Sequence, residues 1–239
     1  MIHNITVEGG SSVRLPTAGK YCDRDIVVTA TGGSGDDWIE NGGTTYTNDR
    51  VTKIAAYVFQ GNTQLTSVSF PNVLSVGASA FNNCKNLTTV NLPNATSIGG
   101  SAFYQSPKVA DLYAPKVKTF GSNALRGNAL SRVVFPELTS VGTYCFTSCT
   151  KLAYADLGSA SSLSTYTFNG CTVLKTLILR RSSIVSLTHA TNVLASTPIA
   201  SGTGYVYVPD NLVDGYKKAT NWSNYADQIR PLSELEVAE

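Results

Sequence analysis

The sequence predicts a β-rich solenoid: six coils of about 22 residues, stacked so that the short strands of successive coils pair in parallel. Three observations carry this. The chain repeats itself with a 22-residue period, apolar residues recur in aligned columns two apart, and the polar surface is built from hydroxyls and amides rather than ions. Charged residues make up 14% of the 239, against about 25% in ordinary soluble domains. Hydrophobic residues reach 42%, enough for a sizeable core and too many for a disordered chain. Such a composition disfavours a helical bundle.

Written in register, the segment from Ala55 (AAYVFQGNTQLTSVSFPNVLSVG) aligns with those from Ala78 and Gly100, and three more follow. Phe59, Phe81, Phe103, Leu125, Phe146 and Phe168 form one column, with spacings of 22, 22, 22, 21 and 22. Leu65, Leu87, Val109, Leu130, Leu152 and Leu174 form a second. A third holds Val68, Val90, Leu112, Val133, Ala155 and Leu177, and a fourth Phe70, Leu92, Ala114, Phe135, Leu157 and Leu179.

The last two columns lie two residues apart, so they share one face of a short strand, and the first Leu anchors the turn leading in. No coil can bury these columns alone, so neighbouring coils must stack. Each buried Phe or Leu then contributes about 1.5 to 3 kcal/mol, a core that needs neither metal nor disulfide. Pro71, Pro93, Pro115 and Pro136 follow the strand and stop it, having no N–H for the ladder. Gly77, Gly99, Gly121 and Gly142 mark places of positive φ or crowded backbone, with Ser164 departing from that column.

The pattern F-x-x-C-x-x-L-x-x-V-x-L-P-x-x-T-x-I-G-x-x-A-F, from Phe81 to Phe103, resembles the BspA-type leucine-rich repeat of bacterial surface and phage proteins. The resemblance covers residues 55 to about 187. Residues 13–33 look like a module recurring in prophage structural proteins, and residues 204–235 like the usual ending of the repeat family. It implies a leucine-rich-repeat solenoid with a binding or adhesion role, tail-associated in a prophage setting, and transfers no catalytic motif.

The flanks divide as follows. Residues 1–31 read as a small β unit, with strands near 2–7 and 25–30 separated by Gly9-Gly10 and Pro16-Thr17 turns. Residues 32–37 (GGSGDD) have linker composition, and residues 38–54, with Trp38, Ile39 and Val51, suit a cap over the first coil. The solenoid spans 55–187. Residues 188–239 read as a closing cap: a strand at 205–208 stopped by Pro209, a short helix to Ala219 with Asp210 as N-cap, and an apolar face of Trp222, Tyr225 and Ile229.

Chemistry-bearing residues are sparse. Cys84, Cys149 and Cys171 share a column with Asn62, Ser106 and Asn128, which points to a small side chain serving the turn backbone inside the coil. A Cys149–Cys171 disulfide and a Cys145/Cys149 metal site are the alternatives, neither with histidine support. Cys22 reads as a packed residue. His3 and His189 supply little for nucleophilic catalysis, and Asp23 and Asp25 flanking Arg24 suit a solvated edge better than acid/base work. No phosphate-loop, GxSxG or HExxH pattern occurs. We expect no enzyme, no cofactor and no metal.

Between Lys53 and Leu187 eleven Lys or Arg face three acids, a local net charge of +8 that leaves −6 for the ends. Such a body attracts polyanions, although the same charges also solubilise a surface. A nucleic-acid partner lacks a recognisable module. The outward strand positions on the presumed concave sheet are bland in the first coils. The middle coils gather Asp111, Tyr113, Arg132, Tyr154 and Asp156, which we take as the ligand-binding patch. The competing reading makes Asp111, Arg132 and Asp156 a cross-strand ion network. The expected protein is a non-enzymatic recognition module, prophage tail-associated, meeting a protein or a cell-surface polymer through the solenoid and a virion partner through residues 1–31. A cell-surface adhesin and a wall-polymer hydrolase are the alternatives. No stretch of about 18 apolar residues occurs and the N-terminus has no leader, so neither membrane insertion nor export is expected.

Overall fold

The computed structural model describes residues 3–8, 26–31, 45–47 and 51–235. The Gly9-Gly10 and Pro16-Thr17 turns, Cys22, Asp23, Arg24, Asp25, the 32–37 linker, Trp38 and Ile39 lie outside the described residues. The N-terminal strands are β1 (His3–Glu8) and β2 (Ile26–Thr31), followed by β3 (Thr45–Thr47) and β4 (Val51–Ile54). Each coil then supplies a three-residue strand and a two-residue strand. They are β5 (Ser67–Ser69) and β6 (Ser75–Val76), β7 (Thr89–Asn91) and β8 (Ser97–Ile98), β9 (Asp111–Tyr113) and β10 (Thr119–Phe120), β11 (Arg132–Val134) and β12 (Ser140–Val141), β13 (Tyr154–Asp156) and β14 (Ser162–Leu163), and β15 (Thr176–Ile178) and β16 (Ser186–Leu187). Helix α1 (Ala190–Val193), β17 (Tyr205–Val208), α2 (Val213–Lys218) and β18 (Ile229–Pro231) complete the described chain, with 3-10 turns between.

Every pairing is parallel, and the strands form two ladders. The three-residue strands, with the four-residue β17, make a front ladder in two sheets, β3-β5-β7-β9 and β11-β13-β15-β17-β18. The two-residue strands, preceded by the longer β1, β2 and β4, make a back ladder, β1-β2-β4-β6-β8-β10-β12, followed by β14-β16. Between the ladders the predicted columns close into one core. Phe81 lies 5.0 Å from Phe59 and 5.1 Å from Phe103, ring planes within 6° and 1° of parallel, and Phe146 stacks on Phe168 at 5.2 Å. The phenylalanines stand in file, with Leu125 buried where the file is interrupted.

The hydroxyls and amides that replace charge tie the coils together. Thr88, Thr96 and Thr139 donate their side-chain O–H to the carbonyls of Thr66, Leu74 and Lys118 one coil back, and Asn94 donates Nδ2–H to the Pro71 carbonyl at 2.8 Å. Lys108 and Lys116 donate in turn to the Asn86 and Asn94 side-chain oxygens, at 2.8 and 2.7 Å.

The glycine column exists because backbones crowd, not because φ is positive. A Cβ on Gly121 would fall 2.3 Å from the Gly100 nitrogen. Gly158, at the position of the strand-stopping prolines, needs both: its φ is +53° and a Cβ would meet the Pro136 oxygen at 2.3 Å.

One missing residue marks a seam. Six residues run from Leu125 to Leu130, where the other coils use seven, and the front ladder is divided between β9 and β11. Elsewhere the residue before the strand bonds to its equivalent one coil back, as Ala110 N–H does to the Thr88 carbonyl. Here it is Ala129 that reaches back, to the Val109 carbonyl at 2.9 Å. The same deletion leaves Asn128 Oδ1 buried without a hydrogen bond. Its counterpart Asn62 Oδ1 accepts from the Gln64 and Leu65 amides at 2.9 and 3.0 Å, the turn that the shortened coil lacks.

At the C-terminal end the edge of β16 is sealed by side chains. The Val185 N–H donates to Tyr216 Oη at 2.9 Å, Trp222 Nε1–H to the Val185 carbonyl at 2.6 Å, and Asn221 Nδ2–H to the Leu187 carbonyl at 2.7 Å. Exposed edge groups are thereby spent. The predicted strand at 205–208 and the helix ahead of Ala219 are present, but Asp210 caps no helix. It opens a 3-10 turn with no side-chain cap, and its carboxylate accepts the Ser233 amide at 3.1 Å, a contact across 23 residues that sequence spacing cannot show. Hydrogen bonding from the Ser233 side chain, and after it from this amide, holds the carboxyl below its ordinary value.

Candidate binding face

The small-residue column inside the coils is structural. Cys84, Cys149 and Cys171 donate S–H to the carbonyls of Phe59, Leu125 and Phe146 at 3.0, 3.1 and 3.0 Å, one coil back in each case. Ser106 and Asn128 do the same for Phe81 and Phe103 at 2.7 and 3.0 Å. Any short donor serves, which is why Cys, Ser and Asn interchange. Cys145, Cys149 and Cys171 are free thiols, buried like Cys84, and among the described residues no cluster of three His, Cys, Asp or Glu could hold a metal ion. Burial pushes the Cys149 thiol up to about 12 and raises Cys145 and Cys171 as well, to which neighbouring thiols add. These are inert thiols, not nucleophiles.

The front ladder sets the outward patch. Register places Arg132 beside Tyr154 and Val134 beside Asp156 across β11 and β13, then Tyr154 beside Thr176 and Asp156 beside Ile178. The Arg132 guanidinium carbon sits 3.6 Å from the Tyr154 ring centroid, a stacked cation and π face. Asp111 and Tyr113 belong to β9, across the seam, and both are exposed, Tyr113 at 56%.

Asp156 departs from the expected patch. It is buried, pairs with Arg180 (Nη2 to Oδ2 2.7 Å), and accepts the Gly158 amide on Oδ1. The ion network read for Asp111, Arg132 and Asp156 is therefore replaced by an Asp156–Arg180 pair. The cause is burial of the third outward position at this end of the ladder, where Ile178 is fully covered too.

Three further residues join the face. Tyr205 follows Thr176 in the outward file, Tyr207 follows Ile178, and Arg230 follows Tyr207. Arg230 lies 4.6 Å from the Tyr205 centroid, and the Tyr205 and Tyr207 rings meet edge to face at 6.4 Å. Tyr205 lies 29 residues after Thr176, so the 22-residue period hides it. On the turn side a separate stack fills itself: Arg126 lies 5.5 and 5.6 Å from the Tyr104 and Tyr144 rings, and Tyr166 covers Tyr144 at 5.0 Å.

Among solved structures, a leucine-rich repeat protein from Bacteroides ovatus is similar at 22% identity and TM-score 0.53, over 70% of this chain. The match covers 51% of that protein, so the present chain spans about half its length. The leucine-rich repeat protein of T. pallidum is similar at 23% identity and TM-score 0.57, over 65% of this chain and 77% of that one. These likenesses concern the fold. No curated protein matches the chain. Six copies of the BspA type leucine-rich repeat match residues 52–175, more than half of the sequence, and with the stacked phenylalanine file and the two parallel ladders they place this protein in the BspA type leucine-rich repeat family.

Proposed function

We propose that the chain is a recognition module that binds its partner on the outward side of the front ladder and carries out no reaction. The observation that supports this is the Arg132–Tyr154 stack on a face where Tyr113 and Val134 are also exposed. Amphipathic rings and arginine are the residues from which binding hot spots are made, and solenoids commonly bind through an extended face. The buried thiols and the Asp156–Arg180 pair, which serve the fold, account for chemistry-bearing groups that a catalytic reading would otherwise claim.

The finer reading is a prophage tail-associated protein, incorporated into a virion, with residues 1–31 docking to its assembly. The resemblance of residues 13–33 supports it, and tail, baseplate or lysis genes beside the coding sequence would test it. The module itself is tested by replacing Tyr113, Arg132 and Tyr154 together with Ala. Attachment of labelled protein to bacterial cells should be lost while circular dichroism is unchanged. Retained attachment would remove the reading.

A further inference from the structure

The outward file of the front ladder reads, strand by strand, Arg132, Tyr154, Thr176, Tyr205. Each tyrosine is stacked by an arginine: Arg132 on Tyr154 at 3.6 Å, and Arg230 on Tyr205 at 4.6 Å. Strand order puts Arg132 on the β11 side of Tyr154 and Arg230 on the β18 side of Tyr205. The other side of each ring therefore looks toward β15, where the file holds only Thr176. Parallel neighbours lie about 4.8 Å apart, so the two tyrosines stand about 10 Å apart along the ladder, with a short hydroxyl side chain as the floor between them.

That spacing has a clear meaning in this molecule. Rings on successive coils stack at 5.0, 5.1 and 5.2 Å, one ring per coil. A six-membered ring held over Thr176 would lie about 5 Å from each tyrosine, at the same repeat distance. On the turn side Arg126 and Tyr166 fill the corresponding spaces; here a threonine, too short to stack, leaves one ring-width open. Thr176 and Tyr154 are half-buried and Tyr205 is 38% exposed, so the space is reachable.

The surroundings select for charge. Among the described residues no carboxylate lies within ion-pair distance of Arg132, whereas Asp156 is taken by Arg180 and Glu234 stands 3.8 Å from Arg230. Lys175, which precedes Thr176, is exposed. Apolar ring faces with a hydroxyl below and the exposed Lys175 beside them suit an acidic saccharide ring. Its C–H faces lie on the tyrosines, the arginines back the outer faces of those rings, and its carboxylate pairs with the Lys175 ammonium.

Resting on the recognition reading above, we infer that the space between Tyr154 and Tyr205, over Thr176, is a subsite for one pyranose unit of an acidic polysaccharide. The probe is trigalacturonate, with neutral cellotriose as its control, followed by calorimetry and saturation-transfer NMR on the whole chain. Trigalacturonate should bind and cellotriose should bind at least about tenfold more weakly. Tyr154→Ala and Tyr205→Ala should each weaken trigalacturonate about tenfold or more, and Thr176→Trp, which fills the space from within, should abolish binding. Thr176→Ser should bind as the parent does and melt at the same temperature, which separates occlusion from misfolding. Absence of trigalacturonate binding, equal binding of cellotriose, or a Thr176→Trp variant that binds normally overturns the subsite. If Thr176→Trp binds normally while the triple alanine variant loses attachment, the subsite falls and the recognition face stands. If the triple variant still attaches, the face itself falls.

Discussion

Arg180 reaches back one coil to hold Asp156, with Nη2 and Nε at 2.7 and 2.8 Å from the same carboxylate oxygen. The carboxylate side chain is 5% exposed and the guanidinium 47%. The pair lets a charge sit on a covered face, and its hydrogen bond raises the already high Arg180 pKa.

Removing the arginine should therefore cost more than a surface ion pair is worth. We expect Arg180→Ala to destabilise by about 1–3 kcal/mol, because it leaves a buried carboxylate with only the Gly158 amide. Asp156→Ala with Arg180→Ala should cost less than the two single changes combined, by about 1 kcal/mol or more in a double-mutant cycle read by urea unfolding.

Two glycines should fail for different reasons. Gly121→Ala drives a Cβ to 2.3 Å from the Gly100 nitrogen and 2.7 Å from its Cα, so backbone must shift, at a cost of about 3 kcal/mol. Gly127 has nothing within 4 Å of a Cβ but a φ of +75°, so Gly127→Ala should cost only the left-handed penalty, about 1–2 kcal/mol. Thermal melts of the two variants compare the causes directly, and equal losses would contradict the crowding account.

Stability should fall in alkali. Burial raises Cys149 from 9.0 to about 12 and Tyr216 from 10.0 to about 12. Below pH 9 these groups are protonated in both folded and unfolded chains, so their contribution is full. Between pH 9 and 12 the unfolded chain releases protons that the folded one keeps, and stability drops by about 1.4 kcal/mol per pH unit for each group titrating. Cys149→Ser keeps a donor for the Leu125 carbonyl and should flatten the slope between pH 9 and 10, as measured by unfolding at stepped pH.

Restoring the missing residue should repair the seam. Inserting Thr after Asn128 recreates the four-residue turn from Asn62 to Leu65, in which two amides bond the side-chain oxygen. We expect a gain of about 1 kcal/mol from satisfying Asn128 Oδ1, with protection of the Arg132–Val134 amides rising in hydrogen exchange. A loss of stability would show that the short turn is the better fit.

The coil count, the phenylalanine file, the inward strand positions and the role of the small-residue column are all legible in the amino-acid order. A 22-residue period maps directly onto neighbours in space, so a column in the sequence becomes a column in the core. The stacked pair of Arg132 and Tyr154 follows from the same register. What interrupts the period was not legible. Tyr205 and Arg230 reach the binding face through an irregular connection, Asp210 finds Ser233 rather than a helix, and Asp156 is drawn into a bond with Arg180. Sequence alone determined which residues share a face, because that depends on spacing within a coil. Only the tertiary structure decided which of them stay open to a ligand, because that depends on what the cap and the next coil lay over them.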